Sequence, residues 1–314
     1  MSAGDLELLA AGILSGSRRD LGRAITAIEE DESAADLLLA GLPELPGSFR
    51  IGLTGAPGVG KSSLISKLVP KLIEKGQRVA VLAIDPTSPL SGGALLGDRA
   101  RMPGELGEDA WFRSIASRGA TNGVAGCTDL AAEVLGRAGF NIVIIETVGV
   151  GQLEVEIGAE ADQAWLLLSP ESGDAIQLLK AGVLEVVDRV VIHKCDRPGA
   201  EELMRWAEEA ARDQQAPEPL SVSSQDGTGI DQIADTLLEA ARAHREAPDP
   251  QRVQARILRR IRRRMEQEWV RRGLEAVGGQ KSLEQLAVAV SKGEITVKDA
   301  LGKLISPDTK DTGS

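Results

Sequence analysis

The residues Gly55-Ala56-Pro57-Gly58-Val59-Gly60-Lys61-Ser62 match the spacing G-x-x-x-x-G-K-[ST] of a loop that holds phosphate. Glycines at 55, 58 and 60 let the backbone turn tightly and aim amide hydrogens at phosphate oxygens. Lys61 is then placed to neutralise the β and γ phosphates, and Ser62 to offer its hydroxyl to Mg²⁺. Ala56, Pro57, Val59 and Ser63 complete the expected lining of a nucleoside triphosphate site. Magnesium takes oxygen donors, so the carboxylates of Asp85, Asp98 and Glu146 are candidate partners of Ser62. Each could instead cap a helix or carry a solvated loop charge. Gly149 closes Glu146-Thr-Val-Gly149, where a backbone amide can bond the γ-phosphate and move when it leaves.

A second constellation is His193-Lys194-Cys195-Asp196. Guanine-selective sites commonly carry [NT]-K-x-D, in which the carboxylate accepts from guanine N1–H and the exocyclic amine while the lysine covers the ring. Lys194 and Asp196 fit those roles, whereas His193 stands where an asparagine would hold the phosphate loop and meet the base edge. An imidazole donates one hydrogen bond and accepts another, so it substitutes in part. Ser223 and Ser224, ahead of Gly227 and Gly229, suit a further loop supporting the base. GTP and GDP are therefore the expected nucleotides.

The elements that must position these groups read as an α/β fold, a mostly parallel sheet with helices on both faces. Apolar runs at 49–55, 78–85, 141–147, 163–169 and 189–194 alternate with helix-length segments, and 220–230 adds a last repeat of the pattern. The phosphate loop falls between the run 49–55 and the amphipathic SLISKLVPKLIEKG. Residues 1–45 read as an N-terminal helical arm with apolar positions Leu6, Leu9, Ile13, Leu21, Ile25 and Ile28, and 46–246 as the nucleotide domain. Pro248 and Pro250 mark a linker into a C-terminal helical arm, 247–305, whose residues 251–272 hold nine arginines, and 306–314 form a polar tail.

A net charge of −11, no tyrosine and 2% aromatic residues argue against a nucleic-acid binder, so the arginine-rich helix is read as a partner-facing surface. No apolar run approaches the ~20 residues of a membrane span, and Met1 opens no basic-then-apolar leader. A cytoplasmic location without membrane association is expected. Cys127 and Cys195 are far apart and suggest neither disulfide nor zinc site.

Taken together, GAPGVGKSS, AIDPTSPLSGGALLGDRARM (83–102), ETVGVGQLEVE (146–156) and the spacing to HKCD resemble the MeaB/ArgK family of G-protein chaperones, over about residues 45–305. Members serve adenosylcobalamin-dependent acyl-CoA mutases of the methylmalonyl-CoA mutase type. The resemblance implies a GTPase that docks on the mutase, gates cofactor loading and protection, and forms a homodimer with contacts from the C-terminal arm. It also implies a third nucleotide-sensing segment near Glu171 to Lys180, with Asp174 and Lys180 matching its acid and lysine. Here PESGDAIQLLKAG (170–182) lacks that segment's second lysine and extra glycines. Gln152 is a candidate for orienting the attacking water. Two rival readings are a kinase-like phosphotransferase linked to amino-acid transport and a metallochaperone-type GTPase. The first needs an acceptor pocket and base that the sequence does not display, and the second needs clustered histidine or cysteine ligands.

Overall fold

The computed structural model describes residues 1–45, 47–85, 107–116, 127–147, 160–173, 175–180 and 182–305. Strands β1 (Phe49–Thr54), β2 (Val79–Asp85), β3 (Ala110–Ala116), β4 (Ile142–Thr147), β5 (Gln163–Leu168), β6 (Arg189–His193) and β7 (Leu220–Val222) form one sheet of order β3-β2-β4-β1-β5-β6-β7. Every pairing is parallel. Parallel sheets need both faces covered, and accordingly every residue of β1, β2 and β4 is buried. The sheet expected from the sequence is present, with one strand more: β3 was not foreseen.

Helices cover the faces according to the two-residue alternation of the strands. Ile51, Leu53, Ile144, Trp165 and Leu167 point into one apolar cluster with Leu64, Leu68 and Leu72 of α4 (Lys61–Glu74) and Ile233 and Leu237 of α8 (Ile230–Glu246). Val143, Ile145, Leu166 and Ile192 point into the other, which also takes side chains of α5 (Thr128–Arg137), α6 (Ala175–Lys180) and α7 (Ala200–Asp213). The helices α1 (Ala3–Leu14), α2 (Arg18–Glu30) and α3 (Ala34–Ala40) join this second cluster. Leu6, Leu9, Ile13, Leu21, Ile25 and Ile28 are all buried in it, so the N-terminal helices contribute to the core of the domain.

Two compact units divide the chain, Met1–Arg252 and Val253–Ser314. Pro250 opens α9 (Pro250–Ala276) at a first-turn position that needs no backbone N–H, so this proline starts the helix instead of lying in a linker. Within the first unit, Arg252 donates to the Asp162 carbonyl at 2.7 Å and to Asp188 Oδ2 at 3.0 Å. The second unit continues through α10 (Gln280–Ser291) and α11 (Val297–Ile305). No helix among the described residues is long and apolar enough to cross a membrane.

Candidate functional site

Strand order reverses around β1, with β4 and β2 on one side and β5 and β6 on the other, which opens a crevice at the carboxyl ends of the strands. The phosphate loop leaves β1 there and ends at Gly60, the residue capping the start of α4 with φ of +108°. Two glycines are sterically required. A Cβ on Gly55 would sit 2.4 Å from the Leu167 carbonyl oxygen, and one on Gly60 would sit 2.3 Å from two atoms of the His193 ring. Lys61 Nζ donates to the Gly55 and Ala56 carbonyls at 2.5 and 3.1 Å, so the side chain folds over its own loop. Val59, within the loop, is buried.

Two of the oxygen donors expected for a cation meet beside it. Ser62 Oγ donates to Glu146 Oε1 at 2.5 Å, although the two residues are far apart in sequence. Glu146 pairs in register with Leu53 of β1 and with Ala83 of β2. Asp85 lies two residues beyond Ala83 on the same strand and is fully buried. The Ser62 hydroxyl on α4 and the buried carboxylates on the adjoining strands β2 and β4 are of the hard oxygen type that magnesium takes. Asp98, Gly149, Gln152 and Asp174 lie outside the described residues.

On the other side of β1, His193 of the expected base site meets the phosphate loop. His193 ends β6 and is 2% exposed. Its Nδ1 lies 2.8 Å from the Val59 carbonyl oxygen and its Nε2 lies 2.8 Å from Ser224 Oγ. Since a carbonyl only accepts, Nδ1 carries the proton and Nε2 accepts from the serine hydroxyl. Burial holds the imidazole pKa below its ordinary value, which keeps this neutral tautomer. Ser223 is fully buried and shapes the loop above, its Oγ accepting from the Gln225 amide at 3.2 Å. Lys194 adopts a left-handed backbone, φ +57°, and its Nζ donates to Glu171 Oε2 at 2.6 Å. That ammonium holds the Glu171 carboxyl below the usual range. Asp196 lies 3.4 Å from the Arg197 guanidinium.

Thus the structure brings together the phosphate loop, Ser62, Glu146, His193 and Ser224. Lys180 instead stands over the Trp206 ring at 4.8 Å from its centroid, a cation–π contact between α6 and α7. Neither Trp206 nor the Glu171–Lys194 pair was foreseen, because partners 26 and 23 positions apart leave no local pattern.

The sequence model of the family described as methylmalonyl-CoA mutase-associated GTPase MeaB matches residues 21–277. A Mycobacterium tuberculosis protein named as a GTPase is 40% identical over 248 residues, covering 73% of each chain. A Mus musculus protein named mitochondrial methylmalonic aciduria type A homolog is 37% identical over 264 residues, 74% of this chain and 62% of its own. A Pyrococcus horikoshii protein named as a GTPase is 44% identical over 188 residues, and the match spans 59% of that relative's length. The crystal structure of a protein titled LAO/AO transport system kinase superposes with a TM-score of 0.62 at 26% identity, covering 97% of this chain and 98% of that one.

Proposed function

The chain belongs to the MeaB family of methylmalonyl-CoA mutase-associated GTPases, and from that premise we propose that it hydrolyses GTP with Mg²⁺ as a chaperone of an adenosylcobalamin-dependent acyl-CoA mutase. The observation that carries the nucleotide part is the joint of Ser62 with Glu146 beside a glycine loop that tolerates no Cβ at 55 or 60. In this reading the loop amides and the start of α4 bind the phosphates, and Lys61 leaves its own carbonyls to meet them. Ser62, Asp85, Asp98 and Glu146 would hold Mg²⁺, which would supply positive charge to the phosphates. Gly149 reports the γ-phosphate through its amide. Asp196 accepts from guanine N1–H and the exocyclic amine, Lys194 covers the ring, and Lys180 belongs to the segment that reads nucleotide and partner.

The partner, a mutase of the methylmalonyl-CoA mutase type, comes from the family and from the name of the mouse relative. Docking, gating of cofactor loading and protection are the steps through which nucleotide state acts on it. A homodimer joined by the C-terminal arm is part of the proposal, supported by exposed Ile257, Leu258, Ile261, Met265 and Trp269. Neither Cys127 nor Cys195 is in a disulfide, which suits a reducing cytoplasm. Neither nucleic acid nor membrane is a partner in this scheme.

The test is steady-state GTP hydrolysis with and without the source organism's own cobalamin mutases, together with cofactor transfer in each nucleotide state. Stimulated hydrolysis with nucleotide-dependent loading is expected. Mutases that neither bind nor alter both rates would remove the chaperone role. The kinase reading, suggested by the name of the structural neighbour, is separated by the product: hydrolysis releases inorganic phosphate without any added acceptor.

A further inference from the structure

We infer that His193 is a positioning residue that lashes the base loop to the phosphate loop and, in doing so, leaves the N7 edge of the bound purine without a donor from this position. The inference rests on the guanine reading of Asp196 and concerns which base atoms the site distinguishes.

It follows from counting donors. A neutral imidazole has one N–H and one lone-pair nitrogen, whereas a carboxamide has two N–H donors and an acceptor. Here the single N–H faces the Val59 carbonyl and the lone pair faces the Ser224 hydroxyl, both at 2.8 Å. Both capacities are used inside the protein. The ring cannot turn to free one, because it is buried and lies against the Gly60 backbone so closely that no Cβ fits between them. An asparagine in the same place could satisfy Val59 and Ser224 and still hold one amide hydrogen for N7. His193 therefore keeps the mechanical part of the role, joining the loops after β1 and β7 through β6, and gives up the contact to the base. Selection against adenine then falls to Asp196 at the opposite edge of the ring, and chemical change at position 7 goes unread.

Binding of GDP, 7-deaza-GDP and ADP to the full chain, measured by competition against a fluorescent GDP analogue, tests this. The natural protein is expected to bind 7-deaza-GDP, which lacks the N7 acceptor, within about 2-fold of GDP, since less than one net hydrogen bond separates them. His193→Asn is expected to create a preference for GDP of about 3–10-fold, the range of one net hydrogen bond. ¹⁵N spectra give a readout independent of affinity: with two histidines in the chain, the His193 pair should show a protonated Nδ1 and a bare Nε2. Discrimination against 7-deaza-GDP of more than about 5-fold by the natural protein, or a protonated Nε2 with bare Nδ1, overturns the inference while leaving the guanine reading in place. Equal competition by ADP and GDP overturns the guanine reading and this inference with it.

Discussion

Lys61 Nζ bonds the Gly55 and Ala56 carbonyls, a posture that holds the charge over the loop where phosphate is expected. Replacing it with alanine removes charge-assisted bonds of about 1.5–3 kcal/mol, so Lys61→Ala should weaken GDP binding by about 10–150-fold with an unchanged circular dichroism spectrum. Unaltered affinity in a folded variant sinks the phosphate-site assignment. His193 gives a prediction in pH. Burial, its largest influence, lowers its pKa below the ordinary 6.5 in the folded chain, so the unfolded chain takes up the proton first as pH falls. The associated stability is present above pH 6.5 and is lost as pH drops below it, toward the folded value. Melting temperature should therefore fall more between about pH 7.5 and 5.5 in the natural protein than in His193→Asn; equal falls contradict it. The candidate motif residues stood out because loops for phosphate and guanine follow fixed spacings. The contacts of His193 were not, since Val59 and Ser224 lie 134 and 31 positions away.

Elements were readable where burial is two-sided. β1, β2 and β4 are buried at every position, so their apolar runs are unbroken. The edge strand β3 was hidden because Arg113 and Ser114 interrupt its run. The arginine donates there to Thr26 and Glu29 of α2, at 2.8 and 3.1 Å, which local sequence cannot announce. A related device ties α5 to the centre of the sheet: the Arg50 guanidinium donates to Asp129, with side-chain exposures of 7% and 2%. Removing one partner leaves a buried charge uncompensated, so Asp129→Ala should destabilise the fold by about 3–5 kcal/mol in urea unfolding at unchanged slope. A loss below about 1 kcal/mol would place this pair among the solvent-screened ones. Sequence showed both residues but gave no reason to join positions 79 apart.

At the scale of the molecule, the second compact unit offers a surface that the first unit's chemistry does not need. Along α9, Ile257, Ile261, Met265 and Trp269 recur every fourth residue, with Leu258 beside them, and each is 44–65% exposed. Residues four apart share one helix face, so these side chains form an apolar stripe among the arginines. Water penalises such a stripe by roughly 25 cal/mol for each Å² left uncovered. In the homodimer proposed above, a second copy of the same helix would cover it with the same pattern. The Glu268–Arg271–Arg272 ion pairs, exposed on that helix, draw the Glu268 carboxyl down to about 2 and fix charge at the stripe's rim without adding much stability. Light scattering should therefore find a dimer for the natural chain, and Ile261→Asp with Trp269→Asp should shift it to monomer. GDP affinity should stay within about 2-fold, because both substitutions are at exposed positions and neither alters a residue of the proposed nucleotide site. A natural chain that is monomeric at tens of micromolar defeats the dimer. So does a charged stripe that leaves the dimer intact, whereas a monomer that loses GDP binding would mean that the arm supports the nucleotide site itself.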